Sequence, residues 1–235
     1  NNFCAKILQG AKEYILLSTI ILLTLLTAWL INPINPLFIP VFIAPMLISI
    51  LLDLRLGVVT NLLLALAISL ITKGDAGFFY TAIIGGTGAA FIVKGASQRS
   101  KLSASGLAIA VINAIVITAV GLINKSGIAT IANNAAIAGI NGVLSVILTI
   151  GTLPVFESMF NIITPLKLLE LANPNQPLMK KLLMEAPGTY HHSLMVGNLA
   201  EAATEEINGN ALLARVGAYY HDVGKLKRPY FFKEN

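Results

Sequence analysis

His221 and Asp222 are adjacent, and Val223-Gly224-Lys225 follows them. An imidazole and a carboxylate side by side at a helix end can aim one nitrogen and one oxygen at a common point. That donor pair suits zinc, iron or manganese. A second histidine from a preceding helix would complete a facial arrangement, and His192 stands 29 residues earlier. Asp222 can also bridge two metals, the arrangement that activates water for attack at neutral pH. Gly224 lets the chain turn away and a ligand approach the backbone. Lys225 would bring positive charge to a phosphate. His191 points about 100° around the helix from His192 and reads as a capping or packing residue.

The elements that must position these residues are helical. Ile162–Leu171 is amphipathic and starts at Thr164-Pro165, so it reads as a helix leaving an apolar region. Asn173–Pro177 is a turn, Leu178–Glu185 a short basic helix, and Pro187-Gly188-Thr189 a break. A long helix runs from there to about Ile207, and a last one spans about Ala211–His221. Its apolar face is read as Leu212, Leu213, Val216 and Tyr220. Tyr219 and Tyr220 fit a core better than base stacking. Arg215, Lys227 and Arg228 read as surface or inner-leaflet contacts, with phosphate contact as the alternative. Strand signals are absent.

This tail differs in kind from what precedes it. The 235 residues are 56% hydrophobic and only 11% charged, with a mean hydropathy of +0.78. A soluble domain carries about 25% charged residues, so a soluble enzyme is excluded for the chain as a whole, and so is disorder. Residues 1–166 hold 12 charges and residues 167–235 hold 15. The charges cut the first part into apolar windows: Tyr14–Ile31, Pro36–Leu52, Leu56–Thr72, Ala76–Val93, Leu102–Asn124 and Ser126–Phe156. A bilayer span needs about 20 residues, so the reading is six transmembrane helices, the last window holding one span plus a connector. The fold class is therefore all-α: a six-span bundle (1–157), a connecting helix and turn (158–177), and a helical soluble domain (178–235).

With the N-terminus in the cytoplasm, the inner segments hold Lys6, Lys12, Arg55, Lys94, Arg99 and Lys101, against Lys73 and Lys125 outside. This asymmetry places the helical tail in the cytoplasm. Trp29 suits an interface. The net charge of +5 is explained by topology, with no DNA or RNA partner implied. Cys4 alone excludes internal disulfides and a cysteine zinc site. Within the spans, Asn61, Asn113, Asn134 and Asn141 and the run Gly85-Gly86-Thr87-Gly88 read as helix–helix packing ahead of a ligand or ion path. Charged residues at mid-span, the usual mark of a pump or transporter, are missing. Pro33, Pro36, Pro40 and Pro45 read as a tight re-entry and a kink.

The motif His221-Asp222-Val223-Gly224-Lys225, with His192 and the segment Pro187-Gly188-Thr189-Tyr190-His191-His192-Ser193, resembles the HD phosphohydrolase superfamily. Leu168–Leu178, Glu185–Ser193 and Ala214–Pro229 are similar to one family within it. These are multi-span membrane proteins with a cytoplasmic HD domain, which include cyclic di-AMP phosphodiesterases. The resemblance implies His192, His221 and Asp222 as metal ligands, with Asp222 shared between two metals. It also implies Asp222 and Lys225 as catalytic residues, Lys225 lying near the substrate phosphate. The competing reading, a buried His–Asp hydrogen bond, is weaker because spacing and context agree. The resemblance further implies two divalent metals, manganese or iron, and a cyclic dinucleotide substrate in a signalling role. The expected location is a bacterial-type cytoplasmic membrane, with the lipid bilayer as a further partner and a homo-oligomer left open.

Three ligands cannot fill two metal spheres, each of which wants about four to six. The family also carries an extracellular domain before such a segment and further ligands after it. The expectation is thus a piece of a longer protein, cut at both ends and inactive alone. The alternatives are a receptor or scaffold whose HD domain binds nucleotide without cleavage, and a transporter with a regulatory tail.

Overall fold

The computed structural model describes residues 10–94 and 99–235, with the side chains of residues 99–101 left aside. Cys4, Lys6 and the side chains of Arg99 and Lys101, used above for redox and topology, lie outside the described residues. The chain divides into two compact units, Asn1–Ile162 and Ile163–Asn235.

The first unit contains α1 (Ala11–Ile31), a short 3-10 turn (Pro36–Phe38), α2 (Ile43–Leu51), α3 (Leu54–Ile71), α4 (Ala76–Lys94), α5 (Arg99–Ile123) and α6 (Ile128–Phe160). Five of these, α1 and α3 to α6, are long and apolar enough to cross a bilayer. Leu22, Leu26, Trp29, Leu63, Phe91 and Ile115 point outward, 50–66% exposed. Outward apolar side chains on long apolar helices are what a lipid solvent selects. The unit is a multi-pass membrane bundle.

Two of the six windows fold differently from the expectation. Pro36–Leu52 is not one continuous span. Pro36 opens the 3-10 turn, extended backbone follows around Ile39, and only nine residues form α2, a length of about 14 Å. Seven of those nine residues are buried. Broken backbone at membrane depth is tolerated where protein covers it and satisfies its polar groups. Asn141 of α6 does this, its Nδ2 donating to the carbonyls of Leu37 at 2.7 Å and Ile39 at 2.9 Å. Ser145 donates to Asn141 Oδ1 at 3.2 Å. Replacing Asn141 by Leu would orphan the Leu37 carbonyl and leave that of Ile39 with the Val41 N–H alone. The expected cost is about 1–2 kcal/mol, read as a lowered thermal midpoint of the detergent-solubilised protein.

Ser126–Phe156 holds no connector. From Ile128 onward it lies within one 33-residue helix, about 50 Å long. Pro154 lies inside this helix without ending it, and Asn161, in the left-handed region at φ 50°, closes it. Asn141-Gly142 and Gly151 also lie inside it without breaking it.

The bundle's polar residues are largely packing groups. Asn61 Nδ2 donates to the carbonyls of Ala82 at 3.1 Å and Ile83 at 3.3 Å, tying α3 to α4. Asn113 Nδ2 donates to the carbonyl of Ala138 at 3.4 Å, tying α5 to α6. Gly86 and Gly85 lie against Asn61 Oδ1 and Asn113 Oδ1, with no room for a methyl group at either glycine.

The second unit contains α7 (Pro165–Leu171), α8 (Pro177–Glu185), α9 (Pro187–Glu206), α10 (Ala211–Tyr220) and two 3-10 turns, Val223–Lys227 and Pro229–Phe231. Thr164 caps α7, its Oγ1 accepting from the Lys167 N–H, and Pro165 takes the first helical position, where the missing N–H costs nothing. Ile162 and Ile163 therefore stay outside that helix. Met179, Leu182, Ala186, Tyr190 and Tyr219 form the core. The inward face of α10 agrees with the expected one at Val216 and at Tyr220, which packs against this core, and departs from it at Leu213. Val216 and Tyr219 are buried while Leu213 is 49% exposed. The cause is Gly197 on α9. Its missing side chain leaves the space that the Tyr219 ring fills: a methyl there would sit 2.5 Å from the ring. Among the described residues no strand forms.

Candidate metal centre

Helices α9 and α10 are joined by the turn Asn208-Gly209-Asn210, with Asn208 in the left-handed region, and they pack along their length. Arg215 fixes their register. Its Nη1 lies 3.1–3.2 Å from both Glu201 carboxylate oxygens, and its Nε donates to Tyr219 Oη at 2.7 Å. Arg215 is thus a half-buried clamp, which corrects its expected surface or phosphate role. Lys227 and Arg228 do remain exposed, Arg228 lying 5.6 Å over the Phe231 ring.

This register brings His192 on α9 opposite the end of α10, where His221 terminates the helix and Asp222 opens the next turn. One ligand atom from each of His192, His221 and Asp222 lies within 4.8 Å of the others. The imidazole centroids are 5.5 Å apart, and His221 Nε2 is 3.3 Å from Asp222 Oδ2. His221 Nδ1 faces the Ala218 carbonyl at 2.7 Å. A carbonyl only accepts, so Nδ1 carries the proton and the Nε2 lone pair is left for an ion, the usual arrangement of a ligating histidine. Ligands about 2.1 Å from one ion stand about 3–4 Å apart. A small closure would seat a divalent cation, and the two-nitrogen, one-oxygen donor set suits manganese, iron or zinc. Both histidines are exposed and Asp222 half-buried, so the cluster is open to solutes. His191 stays outside it, its ring edge-on to Tyr190.

Lys225 Nζ sits 2.8 Å from Asp222 Oδ2 and 2.6 Å from Glu234 Oε1. The Lys225 hydrogen bond, aided by the charges of His221 and His192, holds the Asp222 carboxyl below the usual carboxylate range. The same ammonium lowers Glu234, and the two carboxylates, Asp222 foremost, raise Lys225. A carboxyl depressed in the folded state contributes stability above its unfolded pKa and loses it as pH falls through the folded one. Relative to its intrinsic rate at each pH, amide exchange of residues 223–235 in metal-free protein is therefore expected to accelerate on acidification below the ordinary carboxylate range. In a Lys225→Met variant it should already be fast at neutral pH.

Sequence reading missed the tail's own contribution. Asn235 Oδ1 accepts from the Thr189 N–H at 2.9 Å, and its Nδ2 donates to Thr189 Oγ1 at 2.9 Å. The Gly188 backbone packs directly on the Glu234 carbonyl. These contacts fasten the segment after the HD motif to the start of α9, three residues before His192. They join irregular backbone to a helix 46 residues away in sequence, and no local pattern announces them.

A family model described as "7TM receptor with intracellular HD hydrolase" matches residues 1–164. The chain belongs to this family. A second model, "HD domain", matches residues 189–235, the stretch that carries His192, His221, Asp222 and Lys225. The chain is 42% identical over 206 residues to the cyclic-di-AMP phosphodiesterase PgpH of Bacillus subtilis, covering 84% of this chain and 29% of that one. It is 40% identical over 200 residues to the protein of the same name from Listeria monocytogenes, covering 83% and 28%. It is also 44% identical over 102 residues to an uncharacterized protein of Synechocystis, covering 43% and 13%. The chain spans less than a third of the length of these curated relatives. No solved structure matches it.

Proposed function

We propose that this chain is part of a membrane-anchored, metal-dependent phosphodiesterase that hydrolyses cyclic di-AMP to the linear dinucleotide. The observation that carries the reading is the meeting of His192, His221 and Asp222 within a stretch matched as an HD domain. The two phosphodiesterase relatives supply the substrate class. His192 and His221 would hold a divalent metal through imidazole nitrogens, and Asp222 through its carboxylate, which is also the group able to serve a second ion. We take manganese or iron as the metals, two per site. When bound, such ions supply Lewis-acid charge against phosphate oxygens and lower the pKa of water.

The chain's own residues bind and orient around that chemistry. Lys225, paired with Asp222, would turn its ammonium toward a substrate phosphate, and Glu234 would hold it in place meanwhile. The Ala218 carbonyl keeps the His221 proton on Nδ1. The proposal divides the chain into a bundle (1–157), a connector (158–177) and the front of the HD domain (178–235). It places the HD domain in the cytoplasm, following the basic residues of the inner segments. The test is cyclic di-AMP turnover by the full-length protein with Mn²⁺. In a His221→Ala/Asp222→Ala double variant turnover is expected to vanish. Unchanged turnover would overturn the site assignment.

A further inference from the structure

Asn61, Asn113, Asn134 and Asn141, which lie within the long helices of the membrane unit, divide three to one. Asn61, Asn113 and Asn141 each bind a backbone carbonyl of another segment. Asn134, on α6, makes no hydrogen bond among the described residues and instead lines a crevice of about 130 Å³. The crevice lies where the turn from α3 to α4 meets the turn from α5 to α6. Asp75, Asn124, Ser126 and Asn134 supply its polar groups, and Leu37 and Ile117 part of its apolar wall.

Asp75 uses Oδ1 to cap α4, accepting from the Phe78 N–H at 2.6 Å, which leaves its other oxygen available. Lys73 and Lys125 stand on the same two turns, yet neither is among the lining residues. The lining thus carries one carboxylate and no cation, with two carboxamides and a hydroxyl as further acceptors. No aromatic ring lines it, so it lacks the face that would hold a quaternary ammonium by cation–π attraction. The volume holds only a few heavy atoms. The one lining carboxylate, the several acceptors and the small size fit a compact cation that donates hydrogen bonds.

We propose that this crevice binds a primary ammonium group. Two sources present that group at the end of a membrane bundle: a small free amine, or the headgroup of an ethanolamine lipid. The site is separate from the histidine cluster, and nothing in its test depends on phosphodiester hydrolysis.

The test uses the full chain in detergent, reading its thermal midpoint against ethanolammonium chloride, with NaCl and tetramethylammonium chloride at matched ionic strength. A saturable rise with ethanolammonium alone is expected. Asp75→Asn removes the charge while keeping a good capping residue, and should weaken the response at least tenfold. Asn134→Ala leaves the α4 cap untouched, so it serves as the second variant and should also weaken the response. Nanodiscs separate the sources. Greater stability in phosphatidylethanolamine than in phosphatidylcholine, lost in Asp75→Asn, assigns the headgroup, whereas a response to the free amine alone assigns a soluble ligand. Equal responses to all three salts with no lipid preference, or responses undiminished in both variants, would overturn the proposal.

Discussion

Asp222→Asn in the full-length protein is expected to strip most of its divalent metal and to lower cyclic di-AMP turnover by about 100-fold or more. Loss of a group that merely orients a metal ligand costs about 10–100-fold, and Asp222 stands in the ligand cluster itself. The substitution is nearly isosteric. An asparagine oxygen can still accept from Lys225, which lies 2.8 Å from Asp222 Oδ2, so the turn after α10 should keep its shape. What disappears is the negative charge that offsets a dication and the second oxygen able to serve another ion. Metal content per protein, measured beside turnover across a Mn²⁺ titration, checks both halves. Full metal content with full turnover would remove Asp222 from the site.

Gly197→Ala should destabilise the second unit by about 1–3 kcal/mol, the usual cost of overpacking a core. The new methyl would meet the Tyr219 ring at 2.5 and 2.7 Å. That ring is 2% exposed and its hydroxyl is held by Arg215, so it cannot swing aside without disturbing the residue that clamps α10 to α9 through Glu201. Because that clamp sets His192 against His221, metal affinity should fall together with stability. Gly217→Ala on α10 is the control. Nothing lies within 4 Å of a methyl there, and alanine gains about 0.5–1 kcal/mol over glycine in a helix. Hydrogen exchange across α9 and α10 should speed up in the first variant and stay equal or slow in the second.

The helices and the histidine motif were legible in the sequence because both are local. Apolar windows between charges mark spans, Thr164-Pro165 and Pro187 mark helix starts, and the spacing of His192 to His221-Asp222 survives any tertiary arrangement. Long-range compensation was not legible. The proline-broken segment 36–42 reads as an apolar span until Asn141, more than 100 residues later, is seen holding its carbonyls. On α10 the ring of Tyr219 is buried while Leu213 points outward, because a glycine on another helix makes room for that ring. The Arg215–Glu201 clamp and the Lys225–Glu234 pair depend on register between elements, which composition does not carry. The chemistry of the site was written in residue types, and its stiffness in contacts that only folding brings together.

The most direct test of the central claim is Mn²⁺-dependent conversion of cyclic di-AMP to the linear dinucleotide by the full-length protein, wild type against His192→Ala. His192 lies on a different helix from the His-Asp pair, so its loss tests the convergence of α9 and α10 rather than the dipeptide alone. The expected result is steady conversion by wild type, none after chelation, and near-complete loss in the variant. Binding of cyclic di-AMP without conversion, or conversion undiminished by His192→Ala, would contradict it.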